Sequence, residues 1–88
     1  MPARNEVFLI MKELLFAITA GLVEDPSAIE ITQDEPDAEG VVVFHLHVAE
    51  SDMGRVIGRQ GRIAKALRTV MRSVAIRHGM PSVAVLIN

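Results

Sequence analysis

The sequence of 88 residues contains no cysteine, no tryptophan, no tyrosine and only three phenylalanines. Without cysteine, the chain can form neither a disulfide framework nor a thiolate metal site. The shortage of aromatic rings also argues against recognition of nucleic acid by base stacking on an aromatic platform. Half of the residues are nevertheless hydrophobic. We therefore expect residues 1–88 to form one small domain with a single modest core.

Long hydrophobic runs are missing as well. The apolar stretch Val7–Met11 is interrupted at once by Lys12 and Glu13. It is too short for the hydrophobic region of a signal peptide and far too short to cross a bilayer. These observations, together with the absence of cysteine, predict a soluble cytoplasmic protein that does not act at a membrane.

The sequence also lacks a recognisable catalytic or metal-binding constellation. It contains no Ser–His–Asp or Cys–His arrangement and no phosphate-binding Gly-x-x-x-x-Gly-Lys-Ser/Thr motif. His45 and His47 alternate on one predicted strand, but no third ligand accompanies them. The acidic segment 34–39 lacks the ligand spacing of a calcium loop, and it is typical of a solvated turn. We therefore expect no enzymatic activity, no metal and no cofactor.

Charge is divided unevenly along the chain. All 11 acidic residues lie within residues 1–52, where only Arg4 and Lys12 oppose them. Residues 53–88 contain seven basic residues and no acidic residue. Because salt screens electrostatic fields beyond about 10 Å, this local excess is more informative than the net charge of the chain. The division indicates a surface that faces a polyanion.

The most informative segment of the basic half is Val56–Lys65, in which Gly58 and Gly61 bracket Arg59 and Gln60. Glycine lets the backbone approach a ligand closely and adopts dihedral angles that other residues avoid. A Gly-x-x-Gly turn that leads into the N-terminus of a helix is suited to gripping a phosphate backbone. Such a motif is weak evidence in isolation, because a plain turn between two helices has the same pattern. It favours nucleic acid as the ligand, and RNA before DNA.

Hydrophobic periodicity predicts six elements, a helix over 5–22, a β-hairpin from strands at 29–33 and 41–48, helices over 52–57 and 62–78, and a strand over 83–87. Ser51 or Asp52 is the predicted N-cap of the second helix. Gly79 and Pro81 are predicted to end the long third helix. The resulting order is α–β–β–α–(Gly-x-x-Gly)–α–β.

This order resembles a KH domain of the type II topology. The resemblance implies an α+β fold with a three-stranded sheet and with its helices packed on one face. Within that class, the chain resembles the small bacterial stand-alone KH-domain RNA-binding proteins of the KhpA type. The resemblance is carried by Leu22-Val23, Asp25-Pro26, the segment 49–52 and above all Gly54–Arg68. Ile63, where many relatives are expected to have a small or polar residue, and the N-terminal extension Pro2–Asn5 depart from the pattern.

The resemblance implies that the loop clamps single-stranded RNA and that the protein is an RNA chaperone or post-transcriptional regulator. It also implies pairing with a second copy or with a larger KH-containing partner of the KhpB (Jag) type. The implied RNA-binding residues surround the loop, and they are Arg55, Val56, Ile57, Gly58, Arg59, Gln60, Gly61, Arg62, Lys65 and Arg68. Val56, Ile57 and strand residues near Phe44 and Leu46 are expected to floor a groove for bases.

Three alternatives remain open from the sequence, one of which is that the chain is a phosphate-binding subunit of an enzyme. Arg72 and Arg77 lie about three and four helical turns beyond the loop, where a solvated helix face is the better interpretation. The whole chain could also be a protein–protein adaptor or dimerisation module with a KH fold, in which the glycine loop is purely structural. In that case, exposed apolar residues of the long helix such as Val74 or Ile76 are the candidate interface.

Overall fold

The structure, a computed structural model, describes residues 4–80 and 82–88 and contains three α-helices and three β-strands within them. The elements follow in the order α1 (Arg4–Ala20), β1 (Glu30–Gln33), β2 (Val41–His47), α2 (Met53–Ile57), α3 (Arg62–Arg77) and β3 (Ser82–Ile87). Short 3₁₀ turns occupy Pro26–Ala28, Glu50–Asp52 and Arg59–Gly61. The predicted α+β class and element order are confirmed.

The strands form one mixed sheet in the order β1–β2–β3. β1 and β2 are antiparallel, with Glu30 opposite His47, which confirms the predicted hairpin. β2 and β3 are parallel, with Phe44 opposite Val85. A parallel pair needs a long crossover connection, and α2, the glycine loop and α3 supply it. The crossover places the loop at one end of the sheet.

Alternation along β2 decides which face of the sheet the helices cover. Val42, Phe44 and Leu46 are each no more than 1% exposed, whereas the residues between them are only half-buried and His47 is exposed. The same buried face carries Val83 and Val85 of β3, and the residues of α1 and α3 complete the cluster. The prediction that the helices pack on one face is confirmed.

The buried stripes of the two long helices are displaced from the most apolar positions. In α1, Ile10 is 44% exposed, while Phe8 and Thr19 are buried. The Thr19 hydroxyl is satisfied there because it donates to the Leu15 carbonyl oxygen at 2.7 Å. In α3, the residues facing the core are Ala64, Leu67, Met71 and Ala75. Small alanine side chains let α3 approach the sheet closely, so larger apolar residues are left on its flank.

The end of α3 follows the predicted signal. Gly79 has a φ of 74°, and its N–H donates to the Ile76 carbonyl oxygen at 3.1 Å. The Met80 N–H donates to the Ala75 carbonyl oxygen at 2.9 Å, which completes a Schellman motif. Pro81, and residues 2 and 3 of the N-terminal extension, lie outside the described residues. Within the described ranges, no helix has both the length and the apolar character needed to cross a membrane.

The two faces of the sheet lead to a prediction about stability. Phe44→Ala should lower the free energy of unfolding by about 3–5 kcal/mol, because it opens a cavity in the core. Leu86→Ala is the matched control, since Leu86 is 51% exposed on the opposite face of the sheet. It should change stability by less than about 0.5 kcal/mol. Urea denaturation followed by circular dichroism measures both, and similar losses would contradict the assignment of the faces.

Candidate nucleic-acid interface

The glycine loop owes its shape to left-handed backbone conformations. Gly58 ends α2 with a φ of 76°, and Gly61 precedes α3 with a φ of 74°. Gln60 lies between them with a φ of 57°, the only positive value at a non-glycine residue in the described part of the chain. The Gly61 N–H donates to the Gly58 carbonyl oxygen at 3.1 Å and closes the turn. A strained, tightly closed loop of this kind is typical of a ligand-gripping segment.

Gly58 is required by a close contact as well as by its conformation. A Cβ atom built on Gly58 would overlap the Ile63 Cγ1 and would lie 2.9 Å from the Ile63 Cβ and backbone nitrogen. Gly61 differs, because a Cβ atom there would meet open space. Ile63 therefore packs directly over Gly58, at the junction between α2 and α3. This contact explains what the large side chain at position 63 does in this chain.

Three of the predicted basic residues are free to meet a ligand. Arg59, Arg62 and Lys65 are all exposed. The ion pairs found among residues 4–80 and 82–88 engage none of the three. Gly61 offers no side chain to cap the first turn of α3, so the positive end of the helix dipole faces solvent beside these cations. The loop is therefore electropositive, with backbone N–H groups close by.

Two other predicted basic residues, Arg55 and Arg68, form hydrogen bonds or ion pairs within the protein. The Arg55 Nη2 donates to the Glu24 Oε1 at 2.6 Å, and its Nε lies 3.3 Å from the Asp52 Oδ1. The Arg68 Nε donates to the Val85 carbonyl oxygen at 3.1 Å, on the outer edge of β3. Arg68 thus lies where the basic face of α3 meets the edge of the sheet. Arg55 instead lies at the junction between α2 and the segment after α1.

The apolar residues expected to floor a base groove are mostly inaccessible. Val56, Phe44 and Leu46 have no exposed surface, because all three point into the core. That part of the expectation does not fit the structure. The buried Val56 side chain holds α2 against the core. Ile57 is 37% exposed and remains available for contact beside the loop.

Asp52 has a position that its sequence context did not reveal. It lies at the predicted N-cap of α2, yet its side chain makes no capping hydrogen bond. Both carboxylate oxygens instead accept backbone N–H groups from the segment after α1, at Glu24 and Asp25. The resemblance drew attention to Asp25-Pro26 and to the segment 49–52 separately, and nothing in the sequence joined the two. Local capping rules pointed elsewhere.

An apolar groove of about 180 Å³ lies on the other side of α3. It is formed between α1 and α3 and is lined by Ile18, Leu22, Ile63, Ala66, Leu67 and Val70. Ile63 therefore contributes both to the groove and to the contact with Gly58. The groove adjoins the glycine loop but carries no charge of its own.

The predicted histidine pair does not gather further ligands. The His45 Nε2 and the Asp34 Oδ2 are 2.9 Å apart on the open face of the sheet. Among the residues that the structure describes, no three histidine, aspartate, glutamate or cysteine side chains come together to hold a metal ion. The contact between His45 and Asp34 joins β2 to the turn after β1 at the surface.

Comparison with protein families identifies a match along most of the chain. The model described as the KhpA/KhpB KH domain matches residues 12–87. The RNA-binding protein KhpA of Clostridium acetobutylicum is 45% identical over 67 residues, which cover 76% of this chain and 87% of that protein. The RNA-binding protein KhpA of Clostridium perfringens is 42% identical over 77 residues, which cover 88% of this chain and all of that protein.

Solved structures agree on the fold. A crystal structure of an Aquifex aeolicus Era variant bound to GDP.AlF4- superimposes with a TM-score of 0.64 and 18% identity, over 99% of this chain and 31% of Era. Era in complex with MgGDPNP and nucleotides 1506–1542 of 16S ribosomal RNA gives a TM-score of 0.59 at 18% identity, over 100% of this chain and 32% of Era. At this identity, the likeness shows the fold alone.

The two glycines should respond differently to alanine. Gly61→Ala should lower the free energy of unfolding by about 1–2 kcal/mol, the usual cost of a left-handed conformation for an L-residue. Gly58→Ala should cost at least about 1 kcal/mol more, because its ψ of 172° lies in a region nearly exclusive to glycine and because the new methyl group overlaps Ile63. Thermal and urea denaturation of both variants measure the difference. Equal losses would show that Ile63 yields easily and does not set the shape of the loop.

Proposed function

Because the chain belongs to the KhpA/KhpB KH-domain family, we propose that it is a non-enzymatic RNA-binding protein that grips single-stranded RNA at residues 58–61. The left-handed backbone of this loop, which passes directly into the N-terminus of α3, is the observation that carries the proposal. The relatives that match most of the chain are named RNA-binding proteins. We propose that the protein acts in the cytoplasm as an RNA chaperone or post-transcriptional regulator.

In this proposal, Gly58 and Gly61 let the loop backbone lie against about four nucleotides of the RNA backbone. Arg59 and Gln60, both exposed, reach phosphate and ribose oxygens. Arg62 and Lys65 follow within one turn of α3 and stabilise a phosphate near the helix N-terminus. In this arrangement, Arg59 and Gln60 contact the RNA from within the loop, and Arg62 and Lys65 contact it from the first turn of α3.

The flanking residues contribute in unequal ways. Arg68 continues the basic face of α3 towards the edge of β3, and its other guanidinium N–H groups can still donate to RNA. Ile57 offers a partly exposed apolar surface for a base. Val56 acts only through its anchoring of α2. The path of the RNA therefore runs from the loop along the basic face of α3.

A paired substitution in the loop tests this proposal. Arg59→Asp combined with Gln60→Asp should abolish RNA binding, because two carboxylates then face the phosphates, while the melting temperature stays nearly unchanged. The matched control is Arg72→Asp with Ser73→Asp, which makes the same change of charge on the exposed surface of α3 and should retain most of the affinity. Fluorescence anisotropy with labelled single-stranded RNA measures both variants.

The salt dependence of the wild-type protein gives a second measure in the same experiment. Contacts to three to five phosphates predict a slope of about −2 to −3.5 when the logarithm of the association constant is plotted against the logarithm of the salt concentration. RNA affinity that survives the loop substitution would show that the loop is not the site. A wild-type protein that binds no RNA but elutes with another protein would favour the adaptor function instead.

We also propose that the chain pairs with a second copy of itself through the apolar groove. A single KH domain contacts few nucleotides, and two linked domains gain affinity through effective concentration. The groove is flanked by two apolar stripes, Ile10, Leu14 and Ile18 on α1 and Ile63, Ala66, Val70 and Val74 on α3. Val70 is 39% exposed within the second stripe. Val74 thus belongs to the proposed interface, whereas Ile76 points to another side of α3.

Light scattering during size-exclusion chromatography tests the pairing. The wild-type protein should have twice the monomer mass, and Val70→Asp should have the monomer mass, because a carboxylate cannot be buried in an apolar interface without a partner. Ile76→Asp is the control, since this 65% exposed residue lies outside the stripe, and should remain a dimer. A wild-type monomer would exclude self-pairing and would leave a larger KH-containing partner of the KhpB (Jag) type to be tested by co-purification.

A further inference from the structure

Asp52 is a buried carboxylate on which three separate groups converge. Its side chain is only 2% exposed. The Oδ1 accepts the Glu24 backbone N–H at 3.0 Å, and the Oδ2 accepts the Asp25 backbone N–H at 3.1 Å. A buried charge is costly unless it is paired and hydrogen-bonded, so such an arrangement is maintained by its partners together.

Arg55 completes the arrangement one turn later in the chain. Its Nε lies 3.3 Å from the Asp52 Oδ1, and its Nη2 donates to the Glu24 Oε1 at 2.6 Å. The guanidinium group therefore joins the same two segments that the Asp52 carboxylate joins. We call Glu24, the Asp25 backbone, Asp52 and Arg55 the α2 clamp. It connects the segment after α1 to the first turn of α2.

The clamp matters because α2 cannot hold its own position. A helix of five residues is too short to be stable by itself, and tertiary contacts must place it. Val56 provides one contact, since it is fully buried in the core. The clamp adds hydrogen bonds and an ion pair at the N-terminal end, where Met53 also packs against the core. The C-terminal end of α2 is Ile57, which is followed directly by Gly58, so a shift of α2 moves the glycine loop.

We propose that Asp52 and Arg55 are positioning residues that hold the glycine loop in its RNA-gripping orientation, and that Arg55 does not itself bind a phosphate. This inference rests on the proposed RNA binding and revises the role that the sequence predicts for Arg55. The buried Asp52 carboxylate keeps the Arg55 guanidinium at the junction and away from the RNA. Loss of either partner lowers the fraction of molecules whose loop is correctly placed, and the apparent affinity falls by that fraction.

The salt dependence of RNA binding separates positioning from phosphate contact. Anisotropy titrations use fluorescein-labelled single-stranded RNA of random sequence over a series of salt concentrations. Arg55→Gln should weaken binding about fivefold to tenfold with an unchanged slope, because the correctly placed loops still meet the same phosphates. Arg59→Gln is the comparison, and it should make the slope shallower by about 0.7, the value for one phosphate contact on a single strand.

The sign of the Asp52 effect gives an independent test. Asp52→Asn removes a negative charge close to the RNA site, so electrostatic attraction alone predicts tighter binding. Positioning predicts weaker binding, by about the same factor as Arg55→Gln, and little further loss in the double variant. Glu50→Gln is the matched control, because it removes an exposed negative charge two residues away and should leave the affinity equal or slightly higher.

The position of the loop can also be observed without RNA. In two-dimensional nitrogen–proton NMR spectra, Asp52→Asn should shift the Gly58 and Gly61 amide signals while the signals of the sheet stay in place. If Asp52→Asn does not fold, Arg55→Gln carries the same measurement, since its side chain is 51% exposed and its replacement leaves the core intact. Unmoved glycine signals, a shallower slope for Arg55→Gln, or tighter binding by a folded Asp52→Asn would each overturn the inference. A wild-type protein that binds no RNA would instead refute the proposed function, and the NMR result would still report on the clamp.

Discussion

The contact between Gly58 and Ile63 is the constraint on which the functional end of the molecule depends. The two helices meet there with no linker beyond a closed turn, and this is possible only because Gly58 has no side chain. Its left-handed backbone reverses the chain, and the Ile63 side chain occupies the space that a Cβ would need. At Gly61, by contrast, a Cβ would meet open space.

The helix that follows the loop has three faces with separate tasks. Its core face is built from small and medium side chains, Ala64, Leu67, Met71 and Ala75, which bring the helix close to the sheet. A second face borders the apolar groove, and a third carries Lys65, Arg68 and Arg72 past the edge of β3. One amphipathic helix thus supports the fold, while the proposed pairing surface and the proposed RNA-binding residues Lys65 and Arg68 lie on its other two faces. Leu67 belongs to the core face and also lines the groove, so these two faces share a residue.

At the boundary between the acidic and basic halves of the chain, the opposite charges of Asp52 and Arg55 interact with each other. Asp52 is the last acidic residue before the basic half, and it is buried against the backbone of the segment that follows α1. An arginine at position 55 would by its charge alone be assigned to RNA, yet its nearest partners are the Asp52 and Glu24 carboxylates. We therefore propose two uses for the charge near the glycine loop, attraction of RNA by the exposed cations and fixation of α2 by Asp52 and Arg55.

The sequence by itself determined the order of elements, the faces of β2, the end of α3 at Gly79 and the place of the glycine loop, because periodicity, β-branching and glycine are local signals. It also determined the family to which the chain belongs. Only the tertiary structure decided that Val56 is buried, that Ile63 packs over Gly58 and that Asp52 and Arg55 join α2 to a segment nearly thirty residues earlier. Those outcomes depend on which distant residues are brought together. The local sequence around Asp52 does not indicate that its carboxylate accepts hydrogen bonds from the backbone N–H groups of Glu24 and Asp25.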